Sequence, residues 1–262
     1  MLVFLTRRMR VALIGVLVAN IVACGAPISK PDPPTLSTAR KLESRTDAQA
    51  VNESPQRAVT DLKQALHLYS LIDDREGQVR CNLKLVRLYI GLEQTDNARQ
   101  YLQRAKKIAE SLREPDYLYD SYLLEARLSG QKADFEKALG WSTTPIQRAV
   151  VLTYLSRVDE AYRLIEPKMD QAEDAPDDFA FVLYEYARKS QHAGAAQTAL
   201  GLFKKIDRYR GICNALHLLA QIYKANGQLK LAQRYYERAL TVSISLDDPA
   251  KTRAIETELS GL

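Results

Sequence analysis

Residues 216–240 read LHLLAQIYKANGQLKLAQRYYERAL, and their pattern is the strongest indication of the fold in this sequence. Its apolar and small residues recur every three or four positions, which is the spacing of helices with one buried face. Ala232 is small where two helices would cross at close approach, whereas Tyr223 would fill a wider gap between them. Gly227 interrupts the pattern and readily takes the backbone conformation of a tight turn. The stretch therefore predicts two helices joined at Gly227.

The same spacing recurs elsewhere in the chain. Leu85, Tyr89 and Ala98 repeat it, although Glu93 stands at the position of the turn glycine. Other stretches match more weakly, and the segment from Tyr122 to Trp141 matches worst, so we expect a degenerate, shortened unit there. A helix pair cannot bury its apolar face alone, so repeated pairs predict a stack in which neighbours cover one another.

This pattern resembles the tetratricopeptide repeat, most specifically over residues 216–240 and to a lesser degree over 85–105. The resemblance extends over roughly residues 54–262. It implies an all-α fold, with a right-handed superhelix of about five to six helix pairs, some of them degenerate, over residues 55–262. The first helix of each pair would line a concave groove.

The amino terminus has the pattern of a targeting signal. Residues 1–10 hold three arginines and no acidic residue, and Val11–Ala23 is an apolar stretch broken only by Asn20. A helix of this length reaches about 20 Å, which is short of the ~30 Å hydrocarbon core of a bilayer. A basic start followed by a short apolar run is typical of a secretory signal peptide. We therefore assign residues 1–23 to a signal peptide.

The apolar run ends in Ile21-Val22-Ala23-Cys24-Gly25, which resembles the lipobox of bacterial lipoproteins. The resemblance implies cleavage before Cys24 and attachment of acyl chains to this residue, and two or more acyl chains hold a protein stably at a membrane. Because Gly25 stands where an Asp would retain the protein in the inner membrane, the resemblance implies the outer membrane, facing the periplasm. The alternative is an ordinary signal peptide in which Cys24 is incidental.

Residues 24–54 are expected to form a disordered tether that carries the lipidated Cys24. Four prolines fall within residues 27–34, and no apolar periodicity follows them. A flexible segment of this length has a root-mean-square reach of about 30 Å. A loose helix within residues 38–52 is the alternative, since Ala39 and Leu42 are available to it.

Composition narrows the class of protein. The chain has 262 residues, of which 46% are hydrophobic, and this is enough for a packed core. Its net charge of +5 includes three arginines of the predicted signal peptide, which leaves 5 − 3 = +2 for the remainder. A charge so near zero does not indicate a nucleic-acid-binding protein. Three Cys and three His, all spread out, exclude a disulfide-rich scaffold and a multi-cysteine zinc module.

No residue pattern predicts catalysis, a metal site or a cofactor. His67, His192 and His217 stand far apart, and no glycine-rich phosphate loop or Gly-x-Ser-x-Gly motif occurs. The acidic pairs at 73–74, 177–178 and 247–248 precede predicted helices, so we interpret them as helix caps. Cys81 and Cys213 fall in different repeats, and we interpret them as two buried thiols. We therefore expect a protein that is not an enzyme.

The register of the repeats places a set of polar and aromatic side chains on the groove. The candidate partner-binding residues are Arg80, Lys84, Arg87, Tyr184, Arg188, His217, Gln221 and Lys224. They make a mildly basic surface with aromatic contacts, which suits an extended peptide or an acidic helix of a protein partner. The alternative is that each charged side chain is simply solvated.

The sequence thus favours a membrane-anchored scaffold that recruits or assembles proteins of the cell envelope. Its plan resembles that of outer-membrane assembly factors and of the pilotin-like lipoproteins of type IV pili. The alternative function is a peptidoglycan-binding or cell-wall-modifying enzyme, or a regulator of one. In that case Trp141 and the tyrosines would stack on sugars.

Overall fold

The computed structural model describes residues 32–52 and 54–262. The predicted signal peptide and the predicted lipidation site, Cys24, lie outside these residues. Over the described ranges the chain forms thirteen α-helices and one short 3-10 helix, with no strand. None of these described helices combines the length and the apolar character needed to cross a bilayer. The all-α fold predicted from the sequence is confirmed.

The helices follow one another with short connections. In chain order they are α1 Pro34–Asn52, α2 Pro55–Leu71, α3 Arg75–Gly91, α4 Thr95–Leu112, α5 Pro115–Ser129, α6 Lys132–Trp141, α7 Pro145–Tyr154, α8 Val158–Ile165, α9 Pro176–Ser190, α10 Ala193–Lys205, α11 Tyr209–Ala225, α12 Leu229–Ser245 and α13 Pro249–Ser260. The 3-10 helix Glu166–Gln171 follows α8.

Successive helices pack as hairpins, and the most extensive pairs are α3 with α4 and α11 with α12. The odd-numbered helices also touch one another in sequence, because hydrogen bonds or ring contacts join α1 to α3, α3 to α5, α5 to α7, α7 to α9, α9 to the start of α11, and α11 to α13. We call the odd-numbered helices the inner layer and the even-numbered helices the outer layer. Stacked pairs of this kind are the predicted solenoid architecture, and residues 35–262 form one compact unit.

Prolines and capping side chains set where the helices begin. Proline occupies the start of α2, α5, α7, α9 and α13, where a missing N–H costs little. The Asp74 carboxylate accepts a hydrogen bond from the Gly77 N–H at 2.9 Å, and Asp248 caps α13 in the same way. The capping interpretation is wrong for the pair at 177–178, because both acids lie inside the first turn of α9.

Two glycines allow neighbouring helix pairs to approach closely. A Cβ atom added to Gly77 would lie 2.4 Å from the ring of Tyr69, and one added to Gly211 would lie 2.6 Å from the ring of Phe203. Each glycine lies in the first turn of an inner helix, and the aromatic ring comes from the outer helix that precedes it. The repeat spacing in the sequence did not predict either contact.

The middle of the solenoid has short outer helices. α6 has 10 residues and α8 has 8, whereas α4 has 18. The shortened unit expected between Tyr122 and Trp141 is therefore present. Since a short outer helix covers less of the inner layer, this part of the core relies on aromatic packing of Phe135, Tyr154 and Phe181.

The expected disordered tether over residues 24–54 is wrong for residues 34–52, which form α1. Ala39 and Leu42 of this helix are buried in the same core cluster as Leu62 of α2. The solenoid therefore begins with α1 and not at residue 55. The prediction failed because α1 has few apolar residues of its own, and its remaining partners come from α2 and α3.

Candidate functional site

At its N-terminal end the inner layer holds Arg80 and Lys84 against a carboxylate of α1. The Glu43 side chain accepts hydrogen bonds from Arg80 Nε at 3.1 Å, from Arg80 Nη2 at 3.3 Å and from the Tyr69 hydroxyl at 2.7 Å. Lys84 Nζ lies 3.5 Å from the same carboxylate. Burial raises the pKa of Glu43, but the bonds from Arg80 and Tyr69 outweigh it, so the pKa lies below 4.5. These two predicted groove cations are thus engaged by α1.

Arg87 connects α3 to the next inner helix. It donates from Nη2 to Asp120 of α5 at 2.7 Å while its side chain remains 45% exposed. Partial desolvation lowers the pKa of Arg87, but the carboxylates of Asp120, Asp178 and Asp177 raise it by more. The last two lie on α9, the third inner helix after α3. Because a solenoid of helix pairs presents a concave inner face, side chains of these repeats line one groove.

The centre of this groove is acidic and aromatic. Arg208 donates from Nη2 to Asp177 at 2.5 Å. Burial, followed by the charges of Asp177 and Asp120, raises the pKa of Asp178 to about 6. The neighbouring rings of Tyr154 and Phe181 pack with their centroids 5.0 Å apart. A ligand in the groove would meet carboxylates beside partly buried aromatic side chains.

Tyr184 and Arg188 lie on α9, but they do not form one cluster with the other predicted groove residues. Arg188 donates from Nη2 to Glu185 on its own helix at 2.6 Å and is 62% exposed. Burial raises the pKa of the Tyr184 hydroxyl. Arg188 is therefore an intrahelical partner of Glu185, with solvent on its other side.

The C-terminal end of the inner layer brings His217, Gln221 and Lys224 together around α13. Glu258 accepts hydrogen bonds from Gln221 Nε2 and, at 2.8 Å, from the Tyr236 hydroxyl, and His217 Nε2 lies 3.1 Å from it. Lys224 Nζ donates to the backbone carbonyl of Glu258 at 3.2 Å. Burial and Lys251 lower the pKa of His217 from 6.5 even though Glu258 opposes them. These three predicted residues therefore hold the last helix in place.

The repeat register in the sequence predicted most of the cations of the inner layer but not their acidic partners. These are Glu43 on α1, Asp120 on α5 and Glu258 on α13, each on an inner helix adjacent to the one that carries its partner. Their helices are the ones whose repeat pattern is weak or absent, so the register gave no reason to select them. An opposite charge on the adjacent inner helix is the signal that would have found them.

The other candidate residues have structural roles. His192 begins α10, where its Nδ1 accepts a hydrogen bond from the Ala195 N–H at 3.0 Å, and His67 is exposed. Cys81 and Cys213 are free and buried, and burial raises the pKa of Cys81 to about 12. Among the residues that the structure describes, no group of three or more His, Cys, Asp or Glu side chains is placed to hold a metal ion.

Trp141 lies at the end of α6 and is 39% exposed. Its ring stacks on Tyr122 with an interplanar angle of 5°, and Lys106 Nζ lies 4.4 Å from the centre of the Tyr122 ring. Tyr122 is thus enclosed between Trp141 and Lys106. Of the two stacked rings, Trp141 has the larger exposed surface.

Two segments of the chain, residues 79–112 and 214–243, match the tetratricopeptide repeat. They correspond to α3–α4 and α11–α12, the two most extensive helix hairpins. A search of curated proteins found no match to the sequence.

Several solved structures are similar in fold. The structure of a Rap conjugation gene regulator of the plasmid pLS20 in complex with the Phr* peptide has a TM-score of 0.58 and 16% identity, with 84% of this chain and 66% of that chain covered. A Rap protein complexed with competence and sporulation factor gives 0.55 and 14%, over 81% and 66%. Aspartyl phosphate phosphatase F from Bacillus subtilis gives 0.51 and 12%, over 84% and 62%.

The chain spans about two thirds of the length of these structures, and at such low identity the similarity concerns the fold. The repeat matches and the helix packing nevertheless agree on the architecture. The chain contains tetratricopeptide repeats, and its described residues from 35 to 262 fold as a solenoid of that type.

Proposed function

We propose that this chain is a lipid-anchored scaffold of the bacterial cell envelope, which binds a protein or peptide partner in its curved inner layer and acts by binding instead of catalysis. The observation that carries the proposal is that ion pairs join the inner helices across the layer: Arg87 of α3 pairs with Asp120 of α5, and Arg208 at the start of α11 pairs with Asp177 of α9. Charged side chains of several repeats therefore share one layer, as recognition of an extended segment requires.

Two further points support this function. Tetratricopeptide folds act by presenting an extended concave surface, and two of the similar solved structures are complexes, one with the Phr* peptide and one with competence and sporulation factor. The basic, apolar and lipobox-like segments before residue 25 support secretion and acylation at Cys24. Gly25 supports the outer membrane, facing the periplasm, as the location.

The groove is tested by comparing two variants with the same change of charge. Arg87→Glu adds a carboxylate beside Asp120 and Asp178, whereas Lys107→Glu changes an exposed residue of the outer helix α4. We expect the full chain and Lys107→Glu to capture the same partner from solubilised membranes, and Arg87→Glu to lose it at least tenfold. Unchanged melting temperatures verify that both variants fold. Equal capture by all three proteins would reject the groove as the binding surface.

The anchor is tested separately by labelling cells with radioactive palmitate. We expect label on the wild type and on Cys81→Ser, and none on Cys24→Ser. Cys81 is a matched control because it is a buried thiol within the solenoid. Label that persists in Cys24→Ser would contradict lipidation at this residue.

A further inference from the structure

The two terminal helices of the inner layer are held differently. α13 is fixed by the buried side chain of Ile255, by its cap Asp248 and by Lys224, which donates to two of its backbone carbonyls. The buried side chains described on α1 are Ala39, Leu42, Glu43 and Thr46. Two of these four described residues are therefore polar, and Glu43 is ionised.

The position of α1 consequently depends on one carboxylate. Glu43 is 7% exposed. A buried ion pair adds little net stability because desolvation offsets the attraction, but loss of one partner leaves an uncompensated buried charge. Helices with few buried apolar contacts also open at a lower free energy than the whole domain. The described apolar contacts of α1, which are the buried Ala39 and Leu42 and the partly buried Leu36, would therefore not hold it once Glu43 is neutralised.

Removal of α1 would leave a preformed receptor for a carboxylate. The Arg80 guanidinium, the Lys84 ammonium and the Tyr69 hydroxyl converge on the two oxygens of Glu43. Donors that lose a buried acceptor gain by finding another. Glu43 of α1 comes four positions after the small residue Ala39 and one position after the apolar residue Leu42. These three residues therefore occupy one helix face.

We propose that α1 is a releasable latch on the inner layer, and that the partner which displaces it is an acidic amphipathic helix with the same small, apolar and carboxylate spacing. This inference rests on the proposed function, since it describes how the inner layer becomes available to a partner. In the closed form Glu43 occupies Arg80 and Lys84. In the open form the partner's carboxylate takes its place, and α1 leaves the inner layer.

The latch is tested by hydrogen exchange on the full chain. We expect Glu43→Gln, which is isosteric and uncharged, to accelerate exchange of the amides at 36–46 at least tenfold while α3 to α5 keep their protection. Lys41→Gln is the matched control, because it neutralises an exposed charge on the same helix. Unchanged protection in Glu43→Gln, or equal loss throughout α3 to α5, would overturn the proposal.

The receptor is tested with a synthetic peptide of residues 34–52 with blocked ends. We expect it to bind the Glu43→Gln protein at least tenfold more tightly than the wild type, whose receptor is occupied, and to lose this binding when Arg80→Gln is added. A peptide that carries Glu43→Gln itself should not bind. Equal binding to both proteins, or none to either, would reject the latch, whereas the Arg87→Glu capture experiment tests the groove independently.

Discussion

The repeats at 79–112 and 214–243 share their packing almost residue for residue. Equivalent positions are 134 residues apart in the sequence, as are Glu93 and Gly227 (227 − 93 = 134). In the first repeat Tyr89 stacks on Tyr101 at 5.5 Å, and in the second Tyr223 stacks on Tyr235 at 5.3 Å. An arginine lies over the outer ring in both repeats, at 5.1 Å and 5.0 Å.

The same two repeats differ on the inner layer. Arg80, Lys84 and Arg87 of the first are Asn214, Leu218 and Gln221 in the second. At one of these positions the acidic partner changes too, because Arg87 donates to Asp120 in the first repeat and the equivalent Gln221 donates to Glu258 in the second. The two repeats therefore share the side chains that pack between helices, whereas the charge and polarity of their inner-layer side chains differ.

The largest effect on stability is expected at Gly77 and Gly211, the two glycines that lie against aromatic rings. Gly77→Ala and Gly211→Ala each place a methyl group against an aromatic ring, and overpacking of this kind costs about 1–3 kcal/mol. We expect Gly77→Ala to cost more, since Tyr69 is fully buried and bonded to Glu43, whereas Phe203 is 9% exposed. Urea unfolding of both variants measures the difference.

Gly91→Ala is the control for this pair, because an added Cβ at Gly91 would meet no atom within 4 Å. It should leave the free energy of unfolding unchanged or raise it slightly. A cost for Gly91→Ala equal to that of Gly77→Ala would show that the ring contact is not the cause.

A smaller effect is expected at the turn where the repeats differ. Glu93 has φ 59° and Gly227 has φ 72°, so both occupy the left-handed region that favours glycine. We expect Glu93→Gly to stabilise the chain, and Gly227→Ala to destabilise it, each by about 1 kcal/mol. The melting temperatures should move in opposite directions, and a shift of both in the same direction would contradict the equivalence of the two turns.

The smallest effect concerns Asp178 of α9, whose pKa responds to the charge of Arg87 in the first repeat. Its pKa rises from 3.8 to about 6 on folding, so its ionisation opposes folding fully above pH 6 and not at all below 3.8. The groove partly desolvates Asp178, but its side chain is exposed and solvent screens its charge. Asp178→Asn should therefore stabilise the protein at pH 7 by about 0.5 kcal/mol. The gain should vanish at pH 3.5.

Asp177→Asn provides the matched control, because this neighbour is paired with Arg208. It should leave stability unchanged or lower it slightly at pH 7. A gain from Asp177→Asn as large as that from Asp178→Asn would show that the acidic surroundings, and not the position of Asp178, set the effect.

The sequence predicted the helix pairs wherever Ala and Tyr recur at the repeat spacing, as in residues 216–240. It did not predict α1, because Ala39 and Leu42 alone make a weak apolar pattern, and the contacts that order this helix come from Tyr69 and Arg80. For the same reason, the sequence predicted the cations of the candidate site but not their acidic partners. Cations on well-patterned helices could be placed by register, whereas pairing across helices depends on three-dimensional neighbours.

The presence of α1 also changes how far the protein could extend from a membrane. Pro34 follows Cys24 by ten positions, so a fully extended spacer between them reaches at most about 35 Å. If the proposed acyl chains hold Cys24, the docked form confines the first repeat to a layer next to the lipid head groups. Undocking of α1 would add the length of the 19-residue helix to this spacer and let the solenoid search a deeper volume.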